Sequence, residues 1–202
     1  MRTITGLFDS YEHATQAVHA LHDAGINSTD IGIVANHTDA VDDEPDDIAE
    51  GATTGAEIGA GLGAAGGLLA GLGLIAIPGI GPVLAGGWLF AAAMGALAGA
   101  GVGAATGGLV GALTGAGVPE ADAEVYAEAV RRGGTLVTAH VDDSRADAAA
   151  LIIRHANGVD IVERRRNYKD EGWERFDETA EPPAPGQGRD SRDRYPPIPP
   201  LF

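Results

Sequence analysis

The chain has 202 residues, no cysteine, and a formal charge of -16 from 13 Lys and Arg against 29 Asp and Glu. Such an excess of carboxylates repels phosphate backbones and forfeits the counterion release that drives most nucleic-acid binding, so nucleic acid is excluded as an expected partner. The missing thiols exclude a disulfide framework, thiolate catalysis and cysteine-type zinc clusters.

The opening residues carry Asp9 and Glu12 where a signal peptide needs an apolar core, so the expected starting compartment is the cytoplasm. Thr3 to Phe8 alternates loosely as a strand, and Asp9 or Ser10 supplies a helix cap, with Glu12 placed for a capping box. Ala14, Ala17, Val18, Leu21 and Ala24 then recur on one helical face. Gly25 followed by Ile26 gives a left-handed stop, and Ile31 to Ala35 is the next strand. Residues 1–36 are therefore a βαβ unit, the first half of a domain. Residues 37–50 form an acidic linker, too charged and too poor in large apolar residues to pack.

From Ile58 to Pro119 there is no charged residue, a run of 62 residues holding 20 glycines. Gly51, Gly55, Gly59, Gly63, Gly67 and Gly71 stand four apart, and Gly95, Gly99, Gly103, Gly107, Gly111 and Gly115 repeat the spacing. On a helix such a ladder is a shallow groove that lets another backbone approach closely. Glycine costs about 1 kcal/mol per site in a solvated helix, so helices here demand tight packing or an environment without competing water. Pro78, Gly79, Gly81 and Pro82 form the bend between the ladders. Residues 51–118 are therefore expected to be a glycine-zipper helical hairpin, with arms of about 40 Å that are long enough to cross a bilayer of about 30 Å. Its large apolar residues crowd toward the bend, which makes Trp88 and Phe90 tip anchors in lipid. Against insertion stand the weak hydropathy of the arms, Glu57 within the first ladder, and flanks with almost no Lys or Arg. The alternative is a soluble assembly in which ladders from several copies pack together.

Pro119, then Glu120, Asp122 and Glu124, open a helix that Arg131 and Arg132 close and that Gly133 and Gly134 terminate. Thr135 to Val141 is a strand, Ser144 caps a helix burying Ala148, Leu151 and Ile152, and Asn157–Gly158 stops it before a last strand, Val159 to Glu163. Residues 119–166 are thus an αβαβ second half. Neither half covers its sheet alone. Together they predict a ferredoxin-like βαβ…βαβ sandwich of the α/β (α+β) class, split by the hairpin. Residues 167–202 are expected to be a disordered Pro-rich tail. Its end, residues 195–202, is polyproline II by composition and suits docking to a protein partner, while Trp173 and Phe176 are placed to cap the sandwich.

Several residues resemble those of the YflT-like, 17M-like general stress protein family of bacteria. They are Gly6 to Ser10, Ala24 to Ile26 leading into Ile31 to Asn36, the Ile77 to Pro82 bend, Gly115 to Glu120, and Arg131 to Thr138. The resemblance implies expression under stress and a glycine-rich insertion that associates with membrane or assembles. It carries no reaction and no catalytic residues.

His13, His19 and His22 lie on the first helix, and the last two have ligand spacing, but one pair is too weak a motif to assign a metal. His140 and His155 have no nucleophile beside them, and the acidic run at 42–47 lacks a calcium-loop pattern. No catalytic, cofactor or metal residue is assigned. The expectation is a non-enzymatic stress protein at the inner membrane with both termini cytoplasmic, or else in the cytoplasm. Its partners are membrane lipid or other copies of itself. A ligand-sensing ferredoxin-like module is a third reading that rests on fold analogy alone.

Overall fold

The computed structural model describes residues 1–36, 73–77, 80–89, 92 and 108–180. Among these the elements are β1 (Arg2–Phe8), α1 (Tyr11–Asp23), β2 (Ile31–Asn36), β3 (Gly73–Ile77), β4 (Gly81–Gly86), α2 (Gly108–Gly115), α3 (Glu120–Arg131), β5 (Thr135–Val141), α4 (Asp143–His155) and α5 (Ile161–Asp170). The five strands form one sheet in the order β1-β5-β2-β4-β3, every neighbouring pair antiparallel. β5 lies between β1 and β2, so those two run parallel without touching, as a crossover through α1 requires.

Pleating sorts the side chains to two faces. Phe8, Ile31, Ile33, Val137, Ala139 and Val141 meet Ala14, Ala17, Val18 and Leu21 of α1 and Ala146, Ala149 and Ile153 of α4. Leu7, Val34, Val83, Ala85 and Leu136 face the opposite way, onto α2, α3, Tyr168 and Phe176. The sheet is therefore covered on both sides, α1 and α4 on one face and the glycine-rich α2 with α3 and α5 on the other.

Local signals explain most boundaries. The cap of α1 is Ser10, whose hydroxyl accepts from the His13 amide at 3.3 Å. Asp9 is not the cap, and Glu12 accepts from Gln16 instead of closing a capping box. Gly25, at φ +82°, ends α1 with the Ile26 amide donating to the Leu21 carbonyl, and Ile26 itself is buried. Asn157, at φ 62°, closes α4 in the same way, with the Gly158 amide donating to Ile153.

Four expectations require correction. The cap of α4 is Asp142 rather than Ser144, and the buried stripe is Ala146, Ala149 and Ile153, while Ala148 and Leu151 face solvent. The apolar count along α4 suits either stripe, and Gly6 settles it: a side chain there would meet Ile153, so the helix seats that residue in the gap. The expected strand at 159–163 shrinks to a single bridge, Val159 opposite Leu7, because Asp160 accepts the amides of Val162 and Glu163 and starts α5. Residues 167–180, expected within a disordered tail, are instead ordered, with Phe176 buried and Trp173 packed against the same cluster, as a cap on the sandwich should be; the expectations for 37–50 and 181–202 lie outside the described residues. Finally, residues 73–77 and 81–86 are strands, so the stretch around the bend is a β-hairpin added to the edge of β2 rather than the tip of two helices.

Candidate functional site

The β-hairpin has a sequence signal of its own. The two glycine ladders stop at Gly71 and resume at Gly95, and between them lie Ile75, Ile77 and Val83 around Pro and Gly, a strand–turn–strand pattern. Among the described residues β2 ends at Asn36 opposite Val83, and Pro82, paired with Ala76 of β3, has none facing it on the β2 side, a position that tolerates a missing amide. The Ile80 amide donates to the Ile77 carbonyl and Ile80 is buried in the turn. Pro78 and Gly79 lie outside the described residues; Gly81 opens β4.

At the far end of β4 the chain folds back over β2. Gly87 has φ +72°, and a side-chain carbon placed there would sit 1.8 Å from the Ile31 carbonyl oxygen. This crossing sets Leu89, fully buried, against Gly32, and stacks the half-buried Trp88 indole on the His140 ring at 3.9 Å and 18°. Trp88 is thus held against the sheet rather than at the tip of a helical hairpin. Phe90 lies outside the described residues.

Of the twelve ladder glycines, Gly111 and Gly115 are described, and both fall on α2. Gly51, Gly55, Gly59, Gly63, Gly67, Gly71, Gly95, Gly99, Gly103 and Gly107 lie outside the described residues. Residues 108–113 are all buried, so that part of α2 is enclosed on every side, and Gly111 is core. Gly115 differs: it is exposed, and a side-chain carbon there would meet nothing within 4 Å. Among the described residues no helix is long and apolar enough to cross a membrane.

The densest polar constellation lies on the same face, where α3 meets α5. Glu128, 2% exposed, receives Arg132 Nε at 2.6 Å and has Arg131 Nε at 3.2 Å. Arg132 also reaches Glu171 at 2.5 Å, and its guanidinium lies 4.1 Å from the centre of the Tyr168 ring. Arg164 forks onto Asp9 at 2.6 and 2.8 Å, and Arg165 pairs with Asp122. Burial works against the charge on Arg132, but Glu128 and Glu171 outweigh it and hold that group above the ordinary arginine range; Asp9 does the same for Arg164. Burial pushes the Tyr168 phenol up against the pull of those arginines, and pushes Tyr126 up to about 12, with Asp122 adding to it. The sequence signal is Glu128 three and four residues before Arg131 and Arg132, a helical ion-pair spacing.

Chemically this constellation is a clasp. Its arginines are engaged by carboxylates, and no nucleophile stands beside a base. Among the described residues no three metal-ligating side chains converge. His13 meets Asn157 at 3.3 Å, His22 lies 3.9 Å from Asp23, and His155 is exposed. An open depression of about 370 Å³ beside the clasp is lined by Lys169, Gly172, Trp173 and Glu174.

Residues 3–75 match the family described as the heat induced stress protein YflT domain, in agreement with the resemblance drawn from the motifs at 6–10, 24–26 and 31–36. The matched stretch includes β1, α1, β2, the acidic linker and the first glycine ladder. No curated protein and no solved structure matches the chain.

Proposed function

We propose that this chain, with its stress-protein domain over residues 3–75, is a non-enzymatic general stress protein that associates with further copies of itself through the glycine-rich run. The observation that carries the reading is the pair of six-glycine ladders inside a stretch without charge. Chains of charge -16 repel one another, and this stretch is where two can approach without setting carboxylates side by side. Gly115, exposed and with open space where a side chain would be, leaves the last rung of the second ladder available to a neighbour.

The domain that carries the run is a split ferredoxin-like unit in this reading. The order Val159, β1, β5, β2, with α1 and α4 on one face, supports it, and β3 and β4 extend that sheet. Membrane association is the second reading, favoured by the 62 uncharged residues; the β-hairpin at 73–86 shortens any helical arms that would serve it. The Pro-rich end at 195–202 is proposed to recruit a separate protein partner.

Sedimentation of the purified full chain, with and without anionic vesicles, separates the readings. Self-association predicts a homogeneous oligomer without lipid that Gly63→Leu with Gly103→Leu dissociates while α/β circular dichroism is kept. A monomer that floats with vesicles favours the membrane, and a monomer that ignores them overturns both.

A further inference from the structure

Among the described residues the outer edge of β1 pairs only with Val159, whose amide donates to the Leu7 carbonyl at 2.8 Å. Successive residues of a strand turn their amide and carbonyl to opposite sides. Leu7 uses the outer side, so Thr5 and Thr3 also point theirs outward, with no strand among the described residues to receive them. Sheet edges of this kind draw in further strands.

The chain that leaves the bridge is Val159, Asp160, Ile161, Val162 and Glu163, an apolar-rich sequence with strand character. Continuing the antiparallel register from Leu7 opposite Val159 sets Ile161 opposite Thr5 and Glu163 opposite Thr3. Ile161 would then share the face of Val159, which packs on the cluster it already touches. Val162, now 60% exposed on α5, would fall beside Ile4 and join the apolar cluster on the other face. Arg164 would come opposite Arg2, a like-charge pair that ends the pairing there.

Three contacts hold the helical alternative. Asp160 accepts two amides as the cap of α5, Arg164 grips Asp9 just past the end of β1, and Arg165 pairs with Asp122 on α3. We propose that residues 159–163 are a two-state segment, helical while the Asp160 cap and the Arg164–Asp9 pair hold, and zipped onto the open edge of β1 as a fourth strand when they are released. The Arg164–Asp9 pair joins the two alternatives directly, because Asp9 follows β1 and Arg164 follows the segment. Its Asp9 carboxylate is 60% exposed, so salt reaches and weakens it. This device stands apart from self-association through the glycine run.

Amide hydrogen exchange at Thr5 and Thr3 in the full chain reads the switch. The Asp160→Ala, Arg164→Gln double variant is expected to lose helical signal from α5 while exchange at Thr5 slows about tenfold or more. Adding Ile161→Pro should return Thr5 to fast exchange. Proline suits the first turn of a helix, but at this register it removes the amide that would donate to the Thr5 carbonyl and sets its ring against that oxygen, which keeps the strand from closing on Thr5. Loss of α5 with Thr5 exchange unchanged or faster overturns the proposal, as does protection that survives the proline. If the double variant does not fold, the unaltered chain in low and then high salt is read by the same two amides, with Arg164→Gln, which lacks the pair, as the salt-insensitive control. Slower Thr5 exchange at high salt supports the switch, and unchanged or faster exchange refutes it.

Discussion

The two faces of the sheet are built from different chemistry. The α1 and α4 face is sorted by hydrophobicity alone: small residues on the helices, Phe8 and branched residues on the strands, and few charged contacts at the margin. The α2, α3 and α5 face combines an uncharged, glycine-rich strand and helix with a ring of arginines and carboxylates about the buried Glu128. The first face follows from side-chain periodicity. The second needs backbone crossings that only glycine allows and charges that only partners make tolerable, so it is the face on which single substitutions divide most sharply.

The largest expected effect is at the crossing. Gly87→Val combines a left-handed backbone with a clash against the Ile31 carbonyl, and about 4 kcal/mol or more should be lost. Loss of soluble, cooperatively unfolding protein is the expected readout, and normal urea unfolding would break the contrast. On the other face Phe8, fully buried, fills the space between β1 and the two helices. Phe8→Ala should cost about 3–4 kcal/mol by urea unfolding, with the same cost in low and high salt because no charge is involved.

Glu128→Ala tests the clasp. Removing the carboxylate leaves Arg131 and Arg132 facing a dry pocket, but each keeps about a quarter to a third of its side chain in solvent. The expected loss is therefore about 2–3 kcal/mol, below that for a fully buried pair. Unlike Phe8→Ala, its cost should shrink as salt rises. A salt-independent cost would mean that the two faces are held in the same way.

Much of this contrast was legible in the sequence, and unevenly so. Ser10, Gly25 and the alternation in β5 act through neighbours within a few residues, so the first face could be read from local spacing. Two elements escaped although each carries a local signal. Val159 to Glu163 has strand composition, yet Asp160 caps the amides two and three residues on and Arg164 finds Asp9 across the fold, which makes it helix. Residues 73–86 lie between the two glycine ladders, whose helical period hides the strand–turn–strand pattern that the edge of β2 pairs with. The clasp was hidden by distance: Glu128 beside Arg131 and Arg132 is local, whereas Glu171, Tyr168 and Asp9 arrive from elsewhere in the chain.

High pH should act on the clasp face through Tyr126. Its phenol is held protonated by burial, with a folded value of about 12 against 10 when unfolded. Its stabilising contribution is complete below pH 10 and is lost as pH rises from 10 towards 12, on the order of 1–2 kcal/mol. Urea unfolding across that window should show stability falling with pH, and Tyr126→Phe should flatten part of the slope. An unchanged slope would place the titrating groups elsewhere.

The smallest effect is expected at Gly115 and separates the two uses of glycine on one face. At Gly87 the backbone conformation forbids any other residue; at Gly115 the chain is helical and a side-chain carbon has open space. In the monomer Gly115→Ala should therefore stabilise slightly, by about 0.5 kcal/mol, through lower entropy of the unfolded chain and better helix propensity. In an oligomer packed on the ladder the same methyl would stand between two backbones. Measured by urea unfolding at low concentration and by sedimentation at high concentration, a gain in the first with a loss of assembly in the second assigns Gly115 to contact between copies. A gain in the first with assembly intact removes this rung from the interface.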